Sequence, residues 1–150
     1  METRINVFEK GQKALGTLFG ISAYLKKSGL EKSLIDLVDF RVSQINSCAY
    51  CLDMHSKEAL AAGETPQRLF GLSAWRETPF YTPKERAALA WAEAVTACDV
   101  PDEIYAEAKT QFSDEELIDL TLVITTINTW NRMNLAFPNN VGSYRVGQFG

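Results

Sequence analysis

Histidine and cysteine are scarce in this chain of 150 residues, which has one histidine, His55, and three cysteines, Cys48, Cys51 and Cys98. A small, odd number of cysteines, with two of them in a Cys-x-x-Cys, does not make a secreted disulfide framework and fits a reducing, cytoplasmic setting. Long apolar runs are missing as well. Nothing approaches the roughly eighteen uninterrupted apolar residues of a membrane-spanning helix. The start, Met1-Glu2-Thr3-Arg4, has no basic region followed by an apolar stretch, so neither a membrane partner nor a signal peptide is expected. Lysine and arginine form no cluster, and the formal charge of −4 is spread along the chain, which argues against a nucleic-acid partner. There is no internal repeat, no low-complexity tract and no strand pair, although Thr121 to Thr126 is β-branched enough to be ambiguous.

Helical periodicity fills the space these absences leave. From Phe8 to about Lys27, Ala14, Leu15, Leu18, Ile21 and Leu25 keep helical spacing, ending in Lys26-Lys27-Ser28-Gly29. A second stripe of Leu34, Leu37, Val38, Val42 and Ile45 runs from Glu31 to about Ile45, with Asp36, Asp39 and Arg41 off it or at its margin. A third helix runs from Cys48 through Ala59 and Ala62 to Gly63, a natural residue to follow a helix end. Thr65-Pro66 opens a short helix reaching about Ala74, followed by a loop from Trp75 to Tyr81. Thr82-Pro83-Lys84-Glu85 and Ser113-Asp114-Glu115-Glu116 are capping boxes, each opening a longer helix, with a short helix over Asp102 to Gln111 between them. The last helix ends before Pro138 and is apolar on more than one side. The tail from Asn139 to Gly150 reads as an ordered arm or a frayed end. A single all-α domain, a bundle of about six or seven helices, follows.

The chemistry gathers in Cys48-Ala49-Tyr50-Cys51-Leu52-Asp53-Met54-His55. In a helix, Cys48, Cys51 and His55 at i, i+3 and i+7 fall on one face. Asn46-Ser47 supplies N-cap residues, which places Cys48 at the first helical position, where free backbone N–H groups favour a thiolate. Cys51 lies one turn before His55, a base able to take its proton. Local electrostatics alone makes Cys48 the more acidic thiol.

The segment Ser43-Gln44-Ile45-Asn46-Ser47-Cys48-Ala49-Tyr50-Cys51-Leu52-Asp53-Met54-His55 resembles the active-site signature of the AhpD-like alkylhydroperoxidases of the carboxymuconolactone decarboxylase superfamily. Glu85 to Ala94 and Ile127 to Arg132 support the resemblance, which extends over residues 8–135. It implies an all-helical, homo-oligomeric protein (dimer, trimer or hexamer) acting as a thiol-dependent peroxidase. Its partners would be a small hydroperoxide substrate and an external thiol or disulfide reductant, with no haem, flavin or metal cofactor. It also implies that Cys51 is the peroxidatic and Cys48 the resolving thiol. The family pattern has a glutamate where this chain has Asp36, so the resemblance assigns Asp36 to a proton relay with His55. A second histidine found between the cysteines of some members is Tyr50 here, and no role carries over to it.

Other readings remain open on the residues. Cys48, Cys51, His55 and Cys98 together would make a Cys₃His zinc set, although a line of ligands along one helix makes a poor tetrahedron. The same dithiol could serve a non-catalytic redox sensor or binding module. The decarboxylase branch of the superfamily acts on a lactone without this cysteine pair. Trp75, Trp91, Trp130, Asn128 and Asn131 read as core or interface.

Overall fold

The computed structural model describes residues 4–150. Residues 1–3, on which the reading of the chain's start partly rests, lie outside the described residues. Eight α-helices form among the described residues: α1 Val7–Lys10, α2 Gln12–Leu25, α3 Lys32–Ile45, α4 Ala49–Ala61, α5 Pro66–Gly71, α6 Pro83–Thr96, α7 Asp102–Gln111 and α8 Asp114–Ala136. The β-branched run Thr121 to Thr126 is helical, inside α8.

The helix expected over Phe8 to Lys27 is broken at Gly11. A Cβ there would come within 2.7 Å of the Val7 carbonyl oxygen, a separation that only glycine avoids. The expected loop from Trp75 is partly a 3₁₀ segment, Leu72–Glu77, which buries Leu72 and Trp75. Local chemistry holds elsewhere. Thr82 Oγ1 accepts from Glu85 N–H while the Glu85 carboxylate accepts from Thr82 N–H, and Ser113 and Glu116 repeat the exchange. Thr65 caps α5, with Pro66 at its first position. Gly63 follows α4 at φ 99°, a left-handed conformation that glycine adopts without strain.

Helix α3 is the hub, packing against α4, α6 and α8. Leu37, Val38 and Val42 are essentially fully buried along it, each worth about 1.5–3 kcal/mol relative to exposure. One apolar cluster joins Leu34, Val38 and Val42 to α6 through Ala88 and Ala92 and to α8 through Leu120, Ile124 and Ile127. A second sets Leu37 and Phe40 against Ala59 of α4, Leu69, Leu72, Trp75 and Leu89. Small alanines on α4 and α6 let these helices approach closely. The hub thus has a fixed face toward α4.

Residues 139–150 form an ordered arm laid over α4. Glu58 accepts from the Tyr144 hydroxyl and, at 2.8 Å, from the Gly147 backbone N–H. Lys57 donates to the Tyr144 carbonyl at 3.1 Å, and Asp53 accepts from Gly142 N–H at 3.1 Å. The Phe149 ring stacks on Phe8 and also packs against Phe19 and Tyr144. No helix among the described residues is long and apolar enough to cross a membrane.

Candidate active site

Between α3 and α4 the chain must reverse within three residues, Asn46, Ser47 and Cys48. Ser47 makes the turn at φ 53°, in the left-handed region. It therefore does not cap α4, and Cys48 does not occupy the first helical position. Cys48 is itself the N-cap, extended at φ −87° and ψ 96°, with no side-chain capping bond. Its N–H donates back to the Ser43 carbonyl at 3.1 Å, and its carbonyl accepts from Leu52 N–H at 2.9 Å. The expectation of Asn46-Ser47 as cap fails because Asn46 is engaged by a distant helix. Asn46 Nδ2 donates to Asn128 Oδ1 at 2.9 Å and to Asn131 Oδ1 at 3.0 Å, both on α8. Asn131 is fully buried and donates in turn to Ser43 Oγ at 3.0 Å. This amide network fixes the turn that presents the cysteines.

Cys48 and Cys51 are joined by a disulfide, with Cα atoms 5.3 Å apart, inside the normal disulfide range. Both are buried at 1% exposure. Cys51 Sγ receives a hydrogen bond from Asn134 Nδ2 of α8 at 3.6 Å. Cys98, at φ 56° just beyond α6, is an exposed free thiol. No group of three or more His, Cys, Asp or Glu side chains among the described residues is arranged to hold a metal ion, so the Cys₃His alternative lacks its geometry.

His55 stands one turn after Cys51 on α4. Its Nδ1 is 3.7 Å from Asp39 Oδ2, with only 11% and 16% of the two side chains exposed. That separation is beyond a strong hydrogen bond. Its Nε2 is buried without a partner. Burial lowers the His55 pKa from 6.5 to about 4; nearby Glu58 pulls the other way and Lys32 adds to the lowering. Burial likewise raises Asp39 well above the ordinary carboxylate range, with Asp36 reinforcing and Lys32 opposing it. An ion pair would shift each partner in the opposite sense, so desolvation outweighs their mutual attraction. A neutral imidazole with a free nitrogen can accept a proton.

Asp36 departs from the expectation. Its carboxylate is bound at 2.6 Å by Lys32, one turn earlier on α3. The carboxylate beside His55 is Asp39, one turn later. Asp36 and Asp39 are three residues apart and share a face of α3, so the count back from the cysteines reaches that face one turn before the side chain that lies beside His55. Burial raises the Asp36 pKa, with the Lys32 contact opposing it. Sequence reasoning also passed over Asn134, whose only signal is its place one turn beyond Trp130 near the end of α8.

The buried histidine has a consequence for stability. Its folded pKa of about 4 lies below the ordinary 6.5, so the unfolded chain binds more protons between these values and His55 costs stability as pH falls through that window. Asp39 works in the other direction, because the folded state binds its proton more tightly. Comparing the protein with His55→Gln isolates the histidine. The stability difference between them should change by up to about 3 kcal/mol from pH 7 to pH 4, against the wild type at low pH. Urea unfolding at a series of pH values measures it, and a pH-independent difference would refute the buried neutral imidazole.

A helical bundle whose central helix pair carries a buried Cys-x-x-Cys beside a His–Asp pair defines an all-α dithiol protein. The model of the carboxymuconolactone decarboxylase family matches residues 11–94. Protein YdfG of Bacillus subtilis (strain 168) is 38% identical over 146 residues, covering 95% of this chain and 99% of YdfG. A crystal structure from Agrobacterium tumefaciens, of a protein of unknown function described as a candidate AhpD antioxidant-defence protein, is 39% identical with a TM-score of 0.90, covering 95% of this chain and all of that one. The debrominase Bmp8 has the same fold at 21% identity, with a TM-score of 0.81 over 90% of this chain and 74% of its own. The chain belongs to the carboxymuconolactone decarboxylase family and has its AhpD-like fold.

Proposed function

We propose that this protein is a thiol-dependent peroxidase that reduces hydroperoxides through the Cys48/Cys51 pair. The observation that carries the reading is the placement of the two sulfurs at the start of α4, within disulfide reach, with His55 one turn beyond Cys51. In the reduced protein Cys51 gives its proton to His55, and Asp39 steadies the imidazolium. The thiolate attacks one peroxide oxygen, the O–O bond breaks, and the alkoxide leaves as an alcohol on taking that proton. Cys51 is now a sulfenic acid. The Cys48 thiol attacks it, forming the disulfide and releasing water. An external dithiol restores both thiols by exchange, and its own two thiols become the disulfide. The role of Asp36 in this scheme is electrostatic, beside Asp39, with the relay passing through Asp39.

The steps consume only peroxide and reductant and call for no bound cofactor. A cytoplasmic setting, where thiol reductants keep such a pair reducible, is part of the same proposal. Steady-state peroxide consumption with a dithiol reductant tests the reading. Stoichiometric oxidation without turnover would replace it with the redox-sensor alternative.

A homo-oligomer belongs to the same proposal. Phe70, Ile118, Ile5 and Tyr105 are at least half exposed, and apolar surface of this kind suits a subunit interface. Light scattering should give a mass above that of one chain, and a monomer at micromolar concentration would remove this part.

A further inference from the structure

We infer that Asn134 is a further catalytic residue, the hydrogen-bond donor that stabilises the Cys51 thiolate. The inference rests on the reading of Cys51 as the reacting thiol. Asn134 is a partly buried residue on the last turn of α8. Its Nδ2 lies 3.6 Å from Cys51 Sγ, at normal range for a nitrogen–sulfur hydrogen bond, and 3.0 Å from the Trp130 carbonyl oxygen. Its Oδ1 accepts from Asn139 Nδ2 at 2.6 Å.

These three contacts set the orientation of the carboxamide. The Trp130 carbonyl is only an acceptor, and the Asn139 amide presents its N–H to the oxygen, so the amino group of Asn134 faces the sulfur. Both of its hydrogens are then used, one on the carbonyl and one on Cys51. In the disulfide the sulfur is a weak acceptor. Once the bond is reduced and Cys51 ionises, the same sulfur carries a full charge in a site excluded from water, where a preplaced N–H is worth most. The donor comes from α8 and is in position before the charge appears. Cys48 has no such partner among the described hydrogen bonds, so the contact also separates the two thiols. It favours Cys51 as the nucleophile, in opposition to the helix terminus.

The test reads the thiolate directly and does not depend on turnover. In a Cys48→Ser, Cys98→Ser background, absorbance at 240 nm is followed against pH, so that Cys51 is the remaining thiol. Asn134→Ala should move the midpoint up by about one unit, roughly a tenfold loss of thiolate fraction below it. Asn134→Asp, which puts a carboxylate against the sulfur, should move it further. Asn139→Ala, which frees the carboxamide to rotate, should move it by less than Asn134→Ala. Far-ultraviolet circular dichroism establishes that each variant is folded. Unchanged midpoints in folded Asn134→Ala and Asn134→Asp would overturn the assignment. A shifted midpoint alongside a wild-type protein that turns over no peroxide would leave it standing and defeat the peroxidase reading instead.

Discussion

Cys51→Ser is expected to reduce peroxide consumption to background, a loss of at least about a thousandfold, because the remaining chemistry has no nucleophile. Serine has nearly the same size but remains a neutral hydroxyl at these pH values. Cys48→Ser should behave differently. Cys51 would still react once, giving a sulfenic acid that the missing partner cannot resolve, so one equivalent of peroxide is consumed rapidly and turnover then stops. Intact-protein mass spectrometry after one equivalent would find a single added oxygen in Cys48→Ser and none in Cys51→Ser. The reverse pattern would exchange the roles of the two sulfurs, and steady turnover in Cys51→Ser would exclude the mechanism.

The second large effect is expected at Asp39. Asp39→Asn keeps the shape of the side chain but removes the carboxylate that would stabilise a His55 imidazolium. General-base assistance is worth about 10² to 10⁴ in rate, so weakening its support should slow thiol oxidation by roughly tenfold or more at neutral pH. The pH profile carries a further signature. Burial raises the Asp39 pKa, so the wild-type rate should climb with pH as this carboxyl ionises, and the climb should vanish in Asp39→Asn. Asp36→Asn should have the smaller effect, since Lys32 holds that carboxylate. Asp36→Glu, which restores the residue of the family pattern, should leave the rate close to that of the wild type. Stopped-flow oxidation of the reduced proteins decides the matter. A slow Asp36→Asn beside a normal Asp39→Asn would return the relay to the position implied by sequence.

What could be read from sequence here is what neighbours in the chain determine. Thr82 with Glu85, Ser113 with Glu116, and Gly63 after α4 announce their structures because every participant lies within one turn. The dithiol and the histidine one turn away were legible for the same reason. Sequence was less informative where partners are remote. Asn46 is a good N-cap by type, yet its amide is taken by Asn128 and Asn131 more than eighty positions away. Asp36 matched the spacing of a family pattern, but the reach of Lys32 and the register of α3 against α4 decide which carboxylate meets His55. The tail was ambiguous because its contacts on Glu58, Lys57 and Asp53 are all long-range. The break at Gly11 was missed because it turns on one backbone clash.

The near-complete burial of Cys48 and Cys51 makes their observed reactivity a product of two quantities. One is the intrinsic rate of the exposed sulfur, and the other is the fraction of time a local opening admits the reagent. A small oxidant needs only a slight opening and should express more of the intrinsic rate than a large reagent. A folded protein or long peptide needs a larger opening and so meets a much rarer state. Oxidation and reduction of the same bond are thereby put on different clocks. On the proposed reading, a disulfide formed quickly should persist among ambient thiols until a reductant arrives whose binding stabilises the open form.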